Sequence, residues 1–180
     1  MKKIYIVRHC QAVGQEADAP LTGQGALQAL ELVEFFSGEK IDRIVSSSYR
    51  RAYDTISPFA ERAGIQVALD SRLTERVLTG NHAPGWQEML RRTYDELDLC
   101  FEGGESSNTA MNRAVSVVNE VLQSSSSNAV LVSHGNLISL LLKHYDPRFG
   151  FNEWEALSNP DVYQLTFRDE IPEIQRMWRP

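Results

Sequence analysis

Short unbroken runs of apolar residues alternate along the chain with stretches in which apolar residues recur every third or fourth position. Ile4 to Val7 is the first run, rich in β-branched side chains. It reads as a strand buried on both faces, as in a parallel sheet covered by helices. After Pro20 and Thr22, an apolar stripe of Leu27, Leu30 and Val33 predicts a helix with Thr22 as its N-cap. Ile41 to Val45 is a second strand-like run. Ala52, Ile56, Phe59, Ala60 and Ala63 then form a clear helical stripe that Gly64 ends, and Ile65 to Leu69 is a short third strand. Residues 70–104 are less periodic, with a helix predicted from about Trp86 to Leu97. Helical spacing returns at Met111, Ala114, Val118, Val121 and Leu122. Ser124 to Asn128 is a polar connector. Ala129 to Val132 is another buried strand, Leu137 to Leu142 a short helix apolar all round, residues 146–160 a loop-rich stretch, and Val162 to Phe167 a final strand. No internal repeat is visible. The alternation of strands and helices points to an α/β fold with a mostly parallel sheet.

Composition narrows the class of protein. A length of 180 residues suits a single domain over 1–180, long enough to bury roughly 70% of its unfolded surface without staples. The net charge of −6 argues against general affinity for nucleic acid or an anionic membrane, while leaving room for a local basic pocket. No apolar run approaches the roughly 18 residues of a membrane span, and the run at Ile4–Val7 is too short for a signal peptide. Cys10 and Cys100 are the only cysteines, which rules out a disulfide framework and thiolate zinc sites. A reducing, cytoplasmic setting is the expectation.

Ligands of parallel α/β sheets bind at the carboxyl ends of the strands, so the residues there carry the argument. The first strand ends in Arg8-His9. The second ends at Ser46-Ser47, before a helix opening with Arg50-Arg51. The third is followed by Leu73-Thr74-Glu75-Arg76, and the fourth ends in Ser133-His134-Gly135-Asn136. A lone His at a strand end is usually a hydrogen-bonded structural residue, and a lone Arg at a helix start is usually solvated. Four strand ends converging on cations and one carboxylate are less easily explained that way. Arginine forks and helix N-termini favour phosphate oxygens. A neutral imidazole is a competent nucleophile toward phosphorus, and a carboxylic acid can protonate the leaving oxygen. The set suffices for phosphoryl transfer without a metal or cofactor.

Other chemistries fit less well. Gly23-Gln24-Gly25 begins a GxGxxG pattern, but residue 28 is Gln and no strand leads into it. There is no GxxxxGK[ST]. Gly104 to Asn108 fails the G-x-S-x-G elbow at its last position. No two histidines lie three or four apart on a helix, so the usual zinc-hydrolase signature is missing. His82 and His144 read as surface or helix-end residues.

The strand-end motifs, taken together and in order, resemble the histidine phosphatase superfamily, also called phosphoglycerate mutase-like. Val7-Arg8-His9-Cys10 resembles its RHG signature. Pro20-Leu21-Thr22 with Gly25 resembles its PLTxxG segment, and Ser46 to Ala52 with Thr55 its SSxxxRAxxT segment, which makes Arg51 the matching arginine. Leu73-Thr74-Glu75 resembles its LxE acid, Gly103-Gly104-Glu105-Ser106 its GGES turn, and Ser133 to Asn136 its second histidine motif. The resemblance runs from Ile4 to about Leu142. It implies a three-layer α/β/α sandwich and a phosphomonoesterase working through a phosphohistidine on a small phosphorylated metabolite. His9 would be the nucleophile. Arg8, Arg51 and a protonated His134 would hold the equatorial oxygens, Glu75 would serve as the acid, and Gln15, Gly135 and Asn136 would make further phosphate contacts. Cys10 replaces the RHG glycine, Gln11-Ala12 the usual Glu-Thr or Glu-Ser pair, and Gln15 an asparagine. These departures bear on the outer phosphate contacts. Two alternatives remain. One is a mutase, although Arg76 to Gly80 lacks the family's Arg-His-Tyr run. The other is a weakly catalytic module that binds a phosphorylated ligand, suggested by Cys10. Residues 70–104 are expected to form a lid, in which Arg91, Arg92, Trp86 and Tyr94 either face substrate or belong to a solvated amphipathic helix.

Overall fold

In the computed structural model, which describes residues 1–180, the first apolar run becomes strand β1 (Lys2–Arg8). Ile4 and Ile6 pack into one hydrophobic cluster and Tyr5 and Val7 into another, on opposite faces of the sheet. That is why the run is unbroken: helices cover both faces. β1 is parallel to β4 (Asn128–Ser133), β4 to β2 (Arg43–Ser46), and β2 to the edge strand β3 (Val67–Leu69). On its other side β1 pairs antiparallel with β5 (Asp161–Phe167), which carries the antiparallel edge strand β6 (Glu173–Arg176). The order is β3-β2-β4-β1-β5-β6.

Helices α1 (Gly23–Phe36) and α2 (Arg50–Ala63) cover one face. On the other lie α3 (Trp86–Asp95), α4 (Ser107–Gln123), α5 (Gly135–Tyr145) and the short α6 (Phe151–Glu155). The result is a three-layer α/β/α sandwich with a mostly parallel sheet. No helix is long and apolar enough to cross a membrane.

Local signals set most element ends. Thr22 Oγ1 accepts the Gly25 N–H at 3.0 Å and caps α1. Gly64 ends α2 in the left-handed region, at φ +67°. The stripe on α1 needs correction. Leu27 and Leu30 are 57% and 55% exposed, and the buried face is Ala29, Leu32, Val33 and Phe36. That set has the same helical spacing, and it faces the sheet because Phe36 packs edge-on against Tyr5, with ring centroids 5.4 Å apart. Two elements lie beyond the prediction. α6 interrupts the loop-rich stretch, with Glu153 Oε2 accepting the Gly150 N–H at 2.8 Å. β6 has only one apolar residue, Ile174, to mark it.

Candidate active site

The sheet register brings the two motif histidines together. β1 and β4 pair Arg8 with Ser133, so His9 and His134 leave the sheet side by side with ring centroids 5.2 Å apart. The end of β2 adds Ser47, whose Oγ lies 2.8 Å from His134 Nε2 and accepts the Tyr49 N–H at 3.2 Å. The first turn of α2 supplies Arg51, only 1% exposed despite its charge.

Two neighbours fix the state of His9. Its Nδ1 is 2.7 Å from the Cys10 carbonyl oxygen, which can only accept, so Nδ1 carries the proton. Its Nε2 receives the Arg51 Nε–H at 3.3 Å, and a guanidinium can only donate, so Nε2 carries the lone pair. Burial, aided by the nearby Arg51 and Arg8 charges, lowers the His9 pKa to about 4. His9 is therefore neutral, with a nucleophilic nitrogen turned toward Arg51. Burial also lowers His134 well below its usual range, reinforced by His9, Arg51 and Arg8. The protonated His134 expected from the sequence is thus neutral in the free protein, and its buried Nδ1 has no partner.

Arg8 Nη1 donates to the Leu157 carbonyl at 3.0 Å, while its guanidinium lies against Gly135. A Cβ on Gly135 would sit 2.9 Å from Arg8 Nε. Gly135 therefore acts by leaving room for Arg8. Arg51 Nη1 donates to the carbonyls of Gln15 and Glu16 at 3.1 and 2.9 Å. Nη2 of each arginine makes no hydrogen bond within the protein. The Gln15 contact to Arg51 is through the main chain, and its exposed side chain borders the cavity.

Glu75 follows a 3₁₀ turn at Ser71–Leu73. It forms no ion pair with Arg76 or Arg51. Its Oε1 accepts the Arg76 and Leu137 amides at 2.8 and 2.9 Å, and Oε2 accepts the Asn136 amide at 3.1 Å. Asn136 thus holds Glu75 through its backbone, and its buried side-chain Oδ1 is unpartnered. The GGES-like turn supports this segment. Glu105 pairs with Arg113 at 2.6 Å, and Arg113 donates to the Thr74 carbonyl at 2.8 Å. A Cβ on Gly104 would collide with the Leu78 carbonyl, so glycine allows the two chain segments to cross.

The substituted RHG position is accommodated away from the site. Cys10 is fully buried in the apolar cluster beneath α1 and α2, and its amide donates to Thr55 Oγ1 at 2.8 Å. Burial pushes its thiol up to about 12, so it is protonated.

Two adjoining hollows of about 450 and 390 Å³ open over the site and share Gln15, Glu75, Arg76, Leu78, His82 and Trp86. The second also takes in Arg8, Asn136 and Trp154. Of the four lid side chains Arg91, Arg92, Trp86 and Tyr94, only Trp86 borders these hollows. Tyr94 is buried against Ser139 Oγ at 2.5 Å, Arg91 lies over the Phe151 ring at 4.1 Å, and Arg92 pairs with Glu96 at 3.1 Å. His82 is exposed, as its sequence context implies, and it stands at the rim of both hollows. Trp154, on the unpredicted α6, was missed for want of any periodic pattern around it.

Comparisons with proteins of known name place the chain in a family. A putative phosphoserine phosphatase 2 from Hydrogenobacter thermophilus is 29% identical over 157 residues, 79% of this chain and 77% of that protein. A probable phosphoglycerate mutase from Salmonella choleraesuis is 27% identical over 160 residues, 79% of this chain and 74% of that protein. The native structure of mycobacterial glucosyl-3-phosphoglycerate phosphatase superposes with a TM-score of 0.79 at 27% identity, covering 97% of this chain and 96% of that one. The family model for the histidine phosphatase superfamily (branch 1) matches residues 4–179. The chain belongs to the histidine phosphatase superfamily, branch 1, as a phosphatase enzyme.

Proposed function

We propose that the protein hydrolyses small phosphomonoesters without a metal, through a phosphohistidine on His9. The observation that carries this reading is the tautomer of His9: a proton on Nδ1 leaves the lone pair on Nε2, which attacks once substrate displaces its 3.3 Å contact with Arg51 Nε–H. Nη2 of Arg8 and of Arg51 supplies donors for the equatorial oxygens, joined by Nδ1–H of His134 when its Nε2 accepts the Ser47 hydroxyl proton. Neutral His134 contributes a hydrogen bond there rather than a charge. Nε2 forms a bond to phosphorus as the bond to the alcohol oxygen breaks, and protonated Glu75 gives that oxygen its proton. Oε2, with one backbone partner, has a lone pair to carry the proton. In the second step Glu75 takes a proton from water, the hydroxide attacks phosphorus, and the P–N bond breaks to release phosphate. No three His, Cys, Asp or Glu side chains gather as a ligand set, so the arginines carry the positive charge. Cys10, the motive for a binding-module reading, points into the core and away from these groups.

Rapid quenching of the protein with a ³²P-labelled monoester tests the proposal. The expected result is transient, acid-labile label on the wild type, none on His9→Ala, and loss of hydrolysis in that variant with its fold retained. More than a few per cent of residual activity in His9→Ala would overturn the covalent route. Label passed to an added phosphoglycerate rather than to water would favour the mutase.

A further inference from the structure

The hollow of about 390 Å³ beyond Glu75 has a polar end and an apolar end. Arg8, Glu75 and Asn136 form the end near the histidines. Trp86, Trp154, Leu78 and Leu90 form the other. The two indoles meet at a right angle, with ring centroids 6.2 Å apart and planes at 87°, and so make a corner rather than a slot. They come from separate elements, the N-terminus of α3 and the helix α6. Trp86 is 38% exposed, so its surface is free to receive a ligand.

The two arginines that line this space, Arg76 and Arg8, are committed elsewhere. Arg76 is 5% exposed. Its Nη1 donates to Thr93 Oγ1 and Ser107 Oγ, both at 3.3 Å, and its Nη2 to the Glu105 carbonyl at 3.0 Å. Arg8 faces the phosphoryl position. His82 is exposed at the rim, where a contact to an anion is solvated and weak. A carboxylate on the leaving group would find no guanidinium outside the phosphoryl position, so it would be desolvated without a partner, a mismatch that discriminates against it.

Resting on the phosphomonoesterase reading, we propose that this hollow is a leaving-group subsite for an uncharged primary alcohol whose body is a ring with an apolar face. The ring sits in the corner of Trp86 and Trp154, one indole meeting its face and the other its edge. The volume suits a small ring rather than an extended chain. The face is either aromatic or the C–H side of a sugar, and the substrates below separate these sources.

Benzyl phosphate, glucose 6-phosphate, glycerol 3-phosphate, phosphoserine and 3-phosphoglycerate all release a primary alkoxide, so differences in kcat/KM report the body of the alcohol. At least one ring ester is expected to exceed phosphoserine and 3-phosphoglycerate by about tenfold or more, and the preferred one names the kind of ring. Trp86→Ala should lower kcat/KM for that ester about tenfold more than for glycerol 3-phosphate, and Trp86→Phe should restore most of the difference. Binding of the same esters to His9→Ala, followed by tryptophan fluorescence, separates this inference from the hydrolytic one. Tighter binding of the ring esters would uphold the subsite even if the wild type turned none of them over. Equal or tighter binding of phosphoserine or 3-phosphoglycerate, or a Trp86→Ala loss shared equally by every ester, would overturn it.

Discussion

Glu75 Oε1 lies 2.9 Å from the backbone nitrogen of Leu137, in the first turn of α5. With the Asn136 amide at Oε2, this contact ties the proposed acid to the helix that begins beside His134. The positive end of that helix faces the carboxyl group. One group thus both closes the helix N-terminus and is the acid proposed for the leaving alcohol.

Glu75→Gln separates those two duties. The amide nitrogen cannot accept, so one backbone N–H loses its partner, and the variant should lose about 1–3 kcal/mol of stability in thermal or denaturant unfolding. Its hydrolysis of alkyl phosphates should fall by roughly 10²–10⁴-fold, because an alkoxide needs a proton in the transition state. The pre-steady-state burst with nitrophenyl phosphate, whose leaving group is weakly basic, should fall far less. Arg51→Ala should slow both substrate classes by similar factors. If Glu75→Gln slows both bursts alike, the general-acid role is wrong.

The two histidines make stability depend on pH in a stated direction. Both have pKa values below their ordinary range in the folded protein, with His9 at about 4. The unfolded chain takes up these protons near about pH 6.5. As pH falls from there toward 4, the unfolded state binds protons that the folded state refuses, and stability decreases. Above that window both states hold neutral imidazoles and this dependence vanishes. Urea midpoints at pH 7.5, 6 and 5 should fall less steeply in His9→Asn than in the wild type. An NMR titration placing the His9 midpoint at its ordinary value would refute the assignment.

Gly25 sits against the Gln11 carbonyl, where an added Cβ would collide with the oxygen. Gly25→Ala should shift the loop that follows His9, lowering both stability and kcat. Gly23→Ala is the control, since a Cβ there meets nothing within 4 Å. It should be neutral or stabilising by up to about 1 kcal/mol through helix propensity. Equal effects of the two substitutions would remove Gly25 from the architecture of the site.

Cys10 is sealed under α1 and α2, whereas Cys100 is exposed. A thiol reagent should therefore modify one cysteine in the native protein and two after denaturation, with activity retained after the first reaction. Rapid native labelling of Cys10 would show that the pocket opens beneath His9. Cys10→Gly should cost stability through the cavity it leaves while keeping most of the activity.

The parts legible from sequence were those where one physical requirement dominates. Buried strands demand apolar runs, and the strand ends point to His9, Glu75 and His134, while the family resemblance selects Arg51 over Arg50; the fold brings these residues to one end of the sheet. Leu27 and Leu30 show where periodicity stops helping: α1 carries two apolar stripes, and only packing against Tyr5 selects one. Arg91, Arg92 and Tyr94 share a helix with Trp86 but face away from its cavity, a matter of how α3 is rotated on α6. The protonation of His134 depended on burial and neighbouring charges that spacing does not reveal. The role of Ser47 toward His134 was hidden for a related reason, since its motif named the position but not the bond.

The place of β1 in the sheet has a consequence for how the protein is made. β1 is synthesised first, yet its hydrogen-bonding neighbours, β4 and β5, are among the last strands to emerge. Through most of translation its apolar run therefore has two open edges, the condition in which unfinished chains adhere to one another. Lys2 and Lys3, at the start of the run, are placed to act as charged gatekeepers against such pairing. Growing chains carry His9 without a framework to orient it. Phosphatase activity should consequently arise abruptly, once β4 docks beside β1 and brings His134 to His9, rather than in proportion to the length of chain released.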